Sequence, residues 1–226
     1  MHVAEGLSLP RQPVGDPVLE LLLIRHGQTL ANVEGHWTGW SETPLTELGL
    51  TQIEAVAQRI AAEFPQVDAL YTSPLPRALK TARAIAAAVG LEPVPLDELR
   101  EIDFGDLNGI SLEGMEEQYP ELFERWKVKT DIDFVWPGGE RRADFYRRVG
   151  SALEQVLAGH SEGLVVLVAH GGTLRSLLAH LLPASMSEWW TYTLDNCGIT
   201  RVALQDGRAS LVILNDASHL PVQDGS

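Results

Sequence analysis

The chain reads as an α/β protein: a three-layer sandwich whose central sheet is mostly parallel, with helices on both faces and an antiparallel hairpin at one edge. Three observations lead there. Two apolar runs of strand length, residues 19–24 and 164–169, lack the polar alternation of a half-exposed strand, which marks strands buried on both faces within a parallel sheet. Strand-like and amphipathic helical segments alternate along most of the chain. Late in the chain, Asp206-Gly207 separates two short apolar stretches, a strong signal for a tight hairpin.

Taken in order, residues 1–17 carry three prolines and no basic-then-apolar leader pattern, and are expected to form a mobile tail ahead of a single domain spanning 18–226. After the first strand, residues 32–44 look irregular and aromatic. Thr46 offers an N-cap to a helix whose apolar positions Leu50, Ile53, Val56, Ala57, Ile60 and Ala61 recur at helical spacing, ending near Phe64-Pro65. A short strand over 69–72 delivers Ser73-Pro74-Leu75-Pro76-Arg77, where proline presets a second helix running to Gly90. Another short strand is expected over 92–96. Short helices fall around 113–118 and 121–127, and Pro137-Gly138-Gly139 breaks the chain before a long helix over 142–157. The second buried strand ends on His170-Gly171-Gly172, with a helix expected over 173–182, and the hairpin strands lie over 198–204 and 209–214.

At 226 residues, 45% of them apolar, the chain can bury one substantial core. Its formal net charge of −14 disfavours nucleic acid, which is bound by basic surfaces. A small anion is still admissible, because a few arginines can reverse the potential inside a cleft. The single cysteine, Cys197, forbids an intrachain disulfide and suits a reducing, cytoplasmic setting. No run approaches the ~20 apolar residues of a membrane span. There is no clustered metal-ligand pattern, so no metal or cofactor is expected, and the chain fits a monomer or homodimer.

In open α/β sheets the ligand crevice lies beyond the carboxyl ends of the strands. Both buried strands end in His-Gly. As neighbours in one sheet they would bring His26 and His170 to one edge, with glycine after each admitting a ligand to the backbone. Histidine can serve there as nucleophile or proton shuttle, and Arg25 presents a planar fork of donors suited to phosphate or carboxylate. His2, His160, His180 and His219 have no such context and read as bystanders. Trp189-Trp190 reads as core or an association surface.

The ordered motifs Arg25-His26-Gly27-Gln28-Thr29 with Asn32, Thr38-Gly39-Trp40 with Pro44-Leu45-Thr46, Tyr71 through Ala78 with Thr81-Ala82, Glu101-Ile102-Asp103-Phe104-Gly105, Pro137-Gly138-Gly139-Glu140 and His170-Gly171 resemble those of the histidine phosphatase superfamily, the phosphoglycerate mutase-like proteins. The resemblance runs from Leu21 to Leu220. It implies that His26 is the nucleophile that accepts a phosphoryl group, and that Arg25, Arg77 and His170 hold its oxygens. Glu101 would donate a proton to the leaving oxygen and then serve as base for water. Asn32, Thr29, Thr38, Gly39 and Gly171 are the further phosphate or substrate contacts it implies. Asp103 and Glu140 read instead as structural hydrogen-bond partners, and Arg175 either faces the site or pairs with an acid. Glu42 and Arg141 depart from the usual aspartate and serine, a change at the pocket rim.

Physical chemistry supports that assignment. Phosphoryl transfer depends on positioned positive charge, which two arginines and a histidine supply around three equatorial oxygens. His26 must be neutral to attack, which a backbone carbonyl accepting from its other ring nitrogen would secure. Glu101 must carry a proton when the leaving group departs. The short stretch between Gly109 and Pro137, with Arg125 its only arginine, and Gly172 where mutases often have asparagine, favour a metal-independent phosphatase of small phosphorylated metabolites. The alternatives are a cofactor-dependent phosphoglycerate mutase and a non-catalytic binder of phosphorylated ligands, which the intact nucleophile disfavours. Specificity would be set by a rim around Trp37, Trp40 and 107–136.

Overall fold

Four consecutive residues of strand β1, Leu19–Arg25, are sealed on both faces: Leu21, Leu22, Leu23 and Ile24 are all within 1% of full burial. Only a central strand meets that condition. In the computed structural model, which describes residues 18–64, 66–182 and 191–221, β1 pairs in parallel with β4, Gly163–Ala169. Beyond β4 lie β2, Ala69–Thr72, and β3, Val94–Pro95, also parallel. On the other side of β1, β5 (Ile199–Gln205) and β6 (Arg208–Asp216) run antiparallel, giving the order β3-β2-β4-β1-β5-β6. Asp206 and Gly207 turn the hairpin with φ of 51° and 71°, as a two-residue turn of the primed type needs. The mostly parallel sheet with an antiparallel edge pair is the one expected.

Alternation along the strands sorts the core into two layers. Leu22, Ile24, Val166 and Val168 face helices α2 (Glu47–Glu63) and α3 (Pro76–Val89) through Ile53, Val56, Ile60, Ala82 and Ile85. Leu21, Leu23, Val165 and Leu167 face α6 (Arg142–Gly159) and α7 (Gly171–Leu181) through Phe145, Val149, Val156, Leu174 and Leu177. Fully burying a side chain of this size contributes about 1.5–3 kcal/mol relative to leaving it exposed.

The structure departs from expectation in five places. The segment after β1 opens with a short helix, α1, Leu30–Glu34. It forms because Thr29 and Asn32 cap each other: the Thr29 hydroxyl accepts from the Asn32 amide at 3.3 Å, and the Asn32 side chain accepts from the Thr29 amide at 3.1 Å. Leu50 lies off the apolar stripe of α2 and is 37% exposed. Strand β3 shrinks to two residues, since Pro95 cannot donate to a ladder. Helix α7 starts at Gly171, two residues early, with His170 as its N-cap. Glycine after the first histidine serves packing: a Cβ on Gly27 would lie 2.7 Å from the Gly49 carbonyl and 2.8 Å from Ile53, so it lets α2 close on the strand end.

Two further helices, α4 (Leu112–Gln118) and α5 (Pro120–Lys127), fall where the sequence placed them. The stretch that holds them is tied down at both ends. Trp37 donates to the Ile110 carbonyl at 3.0 Å and accepts from the Gly109 amide at 2.6 Å, and the Asp106 amide donates to Pro137 at 2.8 Å. At its far end the fully buried Arg142 guanidinium donates to the carbonyls of Val128, Asp131 and Trp126 at 2.7, 2.8 and 3.2 Å. No helix of the described residues is long and apolar enough to cross a membrane. Residues 1–17, with His2, and the Trp189-Trp190 pair lie outside the described residues.

Candidate active site

Because β1 and β4 are in register, Arg25 opposite Ala169, the two strands stop at one level. The residues that follow emerge together, with the His26 and His170 ring centroids 5.1 Å apart. The His26 amide donates to the Ala169 carbonyl at 3.0 Å. Its Nδ1 lies 2.8 Å from the Gly27 carbonyl; a carbonyl can only accept, so Nδ1 carries the proton and Nε2 keeps its lone pair. His26 is 4% exposed. Burial first, then the Arg77 and Arg25 guanidiniums, hold its pKa well below the ordinary histidine value.

Each arginine is aimed by backbone carbonyls. Arg25 donates to Leu194 at 2.8 Å, and Arg77 to Gly39 and Ser41 at 2.6 and 3.0 Å. Both Nε atoms are buried without a protein partner. Burial lowers both guanidinium pKa values, Arg77 to about 10, so both stay charged at neutral pH.

His170, 1% exposed, places Nε2 at 2.8 Å from the Ser73 hydroxyl. The Ser73 oxygen already accepts from the Leu75 amide at 3.3 Å. The Ser73 hydroxyl can donate to Nε2 or accept from it, and Nδ1 has no protein partner. Burial, then Arg77, His26 and Arg25, also hold the His170 pKa well below its usual value.

These two neutral histidines make stability depend on pH. In the unfolded chain each binds a proton below about pH 6.5, whereas the folded state resists protonation. Stability is therefore full above pH 6.5 and falls as pH drops below it, by up to about 2.7 kcal/mol per pH unit for two groups. Urea unfolding at pH 7.5 and 5.5 should show this loss, and a doubly substituted His26→Ala, His170→Ala chain should lose less. An equal loss in both chains refutes it.

The Glu101 carboxylate is cradled by the first turn of α7. Oε2 accepts from the Gly172 amide at 2.9 Å. Oε1 accepts from the amides of Thr173 and Ile102 at 3.1 and 3.0 Å, while the Thr173 hydroxyl, 3.3 Å from Oε1, donates to the Arg100 carbonyl at 3.0 Å. Behind it stands Arg148, which nothing in the sequence singled out. Its guanidinium donates to the carbonyls of Glu98, Arg100 and Glu101 at 2.8, 3.0 and 3.2 Å, and to both Glu140 oxygens at 2.9 and 2.8 Å. Glu140 accepts in turn from the Asp103 amide at 2.9 Å, and Asp103 from Gly105 at 3.0 Å, the structural roles expected of both acids.

These groups border a cavity of about 320 Å³. Arg25, His26, Asn32, Thr38, Gly39, Arg77, Glu101 and Gly171 line it. His170 stands behind the wall against His26, and Thr29 is fully buried, engaged in capping α1, so it is no surface for a ligand. Arg175 lines the cavity too: its Nε donates to the Tyr192 carbonyl at 2.8 Å, which settles its open alternative toward the site. Trp40 is not in the wall; its indole donates to the Glu101 carbonyl at 2.7 Å. Glu42 and Arg141 are also off it, Arg141 pairing with Asp133 and Asp144. Asn196, unnoticed in the sequence, donates to the His26 carbonyl at 2.8 Å and to Asn32 at 3.1 Å. His160, His180 and His219 bond to Tyr71, the Tyr146 carbonyl and the Cys197 carbonyl, off the cavity wall. Burial raises the Cys197 thiol to about 12, so it is inert as a nucleophile.

Two histidines at the ends of parallel strands and two arginines beside them form a site suited to a phosphoryl group. The chain belongs to the histidine phosphatase superfamily, branch 1, whose family model matches residues 21–217. It is 34% identical to phosphoserine phosphatase 1 of Hydrogenobacter thermophilus over 90% of this chain and 95% of that protein. It is also 34% identical to a metal-independent phosphoserine phosphatase of Arabidopsis thaliana, over 92% of this chain and 85% of the relative. Among solved structures, a phosphoserine phosphatase mutant of Entamoeba histolytica in complex with phosphoserine superposes with a TM-score of 0.79 at 28% identity, covering 90% of this chain and all of that one. The α-ribazole phosphatase of Shigella flexneri matches with a TM-score of 0.79 at 26% identity, over 91% and 100%.

Proposed function

We propose that this chain hydrolyses phosphate monoesters of small metabolites in two steps through a phosphohistidine at His26. It is a phosphomonoesterase of the histidine phosphatase type, and the mutase alternative is not favoured. The observation that carries the reading is the Nδ1–H of His26 held by the Gly27 carbonyl, which leaves a deprotonated Nε2 between two arginines. In the first step the Nε2 lone pair forms a bond to phosphorus as the ester P–O bond breaks, and the leaving oxygen takes a proton from Glu101. In the second, water attacks phosphorus, gives its proton to Glu101 and releases phosphate as the P–N bond breaks. Arg25 and Arg77 face the charge on the equatorial oxygens throughout, with His170 packed against His26. Asn32, Thr38, Gly39 and Gly171 border the substrate. The reading places the enzyme in the cytoplasm as a monomer or homodimer.

Incubation with a panel of phosphate monoesters in the presence of a chelator tests the class. Inorganic phosphate released at an undiminished rate supports it. Phosphoryl transfer to a second hydroxyl of the substrate would mean a mutase, and no turnover a binder.

Arg77 tests the clamp. Arg77→Ala should reduce kcat/KM by about 10²–10³, the effect of removing one preorganised donor of this kind. Arg77→Lys should recover only part of that, because lysine restores charge without the planar fork. Wild-type activity in Arg77→Ala would make this arginine a structural strut for residues 39–41.

A further inference from the structure

Phosphoryl chemistry occupies one part of the cavity. Much of the rest of its wall is aromatic: Trp37, Phe104, Trp126 and Trp136, beside His36 and Ile102. Trp37 stacks on Phe104 with ring centroids 5.1 Å apart and an interplanar angle of 27°, and meets Trp126 at 5.6 Å. Phe104 meets Trp136 edge-on at 5.7 Å. Trp136 is fully buried, and its indole N–H is an orphan, with no protein acceptor. A buried donor without a partner costs about 1–3 kcal/mol and calls for an explanation.

Charge narrows what this wall can take. Among the described residues Glu101 is the one acid in the lining, and it is engaged by three backbone amides, whereas Arg25, Arg77 and Arg175 all border the cavity. A cationic leaving group would find aromatic faces but also three guanidiniums and no counter-ion. A flat neutral ring finds aromatic side chains to pack on. The volume, about 320 Å³, is at the small end for ligand sites and suits one ring or a fused pair beside the phosphate.

We infer that Trp37, Phe104, Trp126 and Trp136 form a leaving-group subsite for a neutral planar ring, so that the enzyme selects phosphate monoesters of ring-bearing alcohols. This rests on the monoesterase reading and adds the substrate class to it. The rings are held before any ligand arrives. The Trp37 backbone is bonded to Gly109 and Ile110 on both its groups, and Lys129 caps the Trp126 ring, its Nζ 3.0 Å from the centroid. A preformed stacking surface loses little side-chain entropy on binding.

The test compares alcohols of similar intrinsic leaving ability: 2-phenylethyl phosphate against butyl phosphate, and a nucleoside 5′-monophosphate against ribose 5-phosphate. Phosphoserine supplies a zwitterionic, ringless comparison. Stacking on aromatic side chains predicts that at least one ring-bearing member is favoured in kcat/KM by roughly tenfold or more over its ringless partner. Trp37→Leu and Trp126→Leu should each bring that ratio toward one, while Trp37→Phe, which keeps a ring face, should preserve most of it. Should Trp37→Leu fail to fold, as judged by its thermal transition, Trp126→Leu carries the comparison. Fluorescence titration with the non-hydrolysable 2-phenylethylphosphonate gives a binding readout independent of turnover. Hydrolysis of all five esters with no ring preference, or a preference for phosphoserine, overturns the subsite and leaves the monoesterase standing. No phosphate from any of them overturns the monoesterase reading itself.

Discussion

His26→Ala should lower kcat by about four to six orders of magnitude, the loss seen when a covalent nucleophile is deleted. No neighbouring group can substitute. His170 has its Nε2 engaged with Ser73, and His36, the other imidazole of the described lining, has its Nδ1 against Glu34. Rapid quenching with labelled substrate should recover acid-labile phosphate on wild-type His26 and none on the variant. Label on His170 would transfer the nucleophile's role there and invert the proposed mechanism.

Glu101→Gln should divide substrates by leaving group. In single-turnover measurements, phosphoenzyme formation from an alkyl phosphate should fall by about 10²–10⁴, the usual contribution of a general acid. With p-nitrophenyl phosphate, whose phenolate departs unaided, the fall should be within about tenfold. Glutamine is not a silent replacement here. Keeping its oxygen toward Ile102 and Thr173 turns its NH₂ toward the Gly172 N–H, donor against donor. That misfit strikes both substrates alike, so the difference between them isolates the proton. Equal losses would place the acid elsewhere, with His170 the first candidate. The nucleophile should give kcat/KM an acid limb. That limb is set by His26 and lies below pH 6.5, because burial and two arginines oppose protonation there; a nucleophile titrating above 6.5 would contradict the buried, arginine-flanked geometry.

What could be read from the residues alone was whatever local pattern encodes. Residues 19–24 and 164–169 are apolar at every core position, so their place inside a parallel sheet was legible, and with it the edge where His26 and His170 meet. Thr46, Gly90 and Asp206-Gly207 end their elements through caps and turns that act within four residues. The Thr29–Asn32 capping box was equally local and was passed over because aromatic residues follow it. Arg148, Ser73 and Asn196 are another matter. Their partners lie 47, 97 and 170 positions away, and a polar side chain on a helix or loop carries no sign of what it will face once the layers close. Motif resemblance reached Glu101 but not the arginine that holds its loop.

The way residues 104–136 are fastened has a consequence for how such an enzyme changes over generations. This stretch contributes three of the four rings beside the cavity and no group to the phosphoryl chemistry, which hangs from the ends of β1 and β4 and the starts of α3 and α7. It is moored by backbone bonds at Trp37 and Pro137, by the Arg142 guanidinium on three carbonyls, and by Leu107, Met115, Phe134 and Trp136 in the core. On the proposed reading, recognition of the alcohol and the phosphoryl chemistry therefore sit on separate parts of the chain. Substitutions at the rings that border the cavity can re-address the enzyme to new metabolites while its nucleophile and its acid stay as they are.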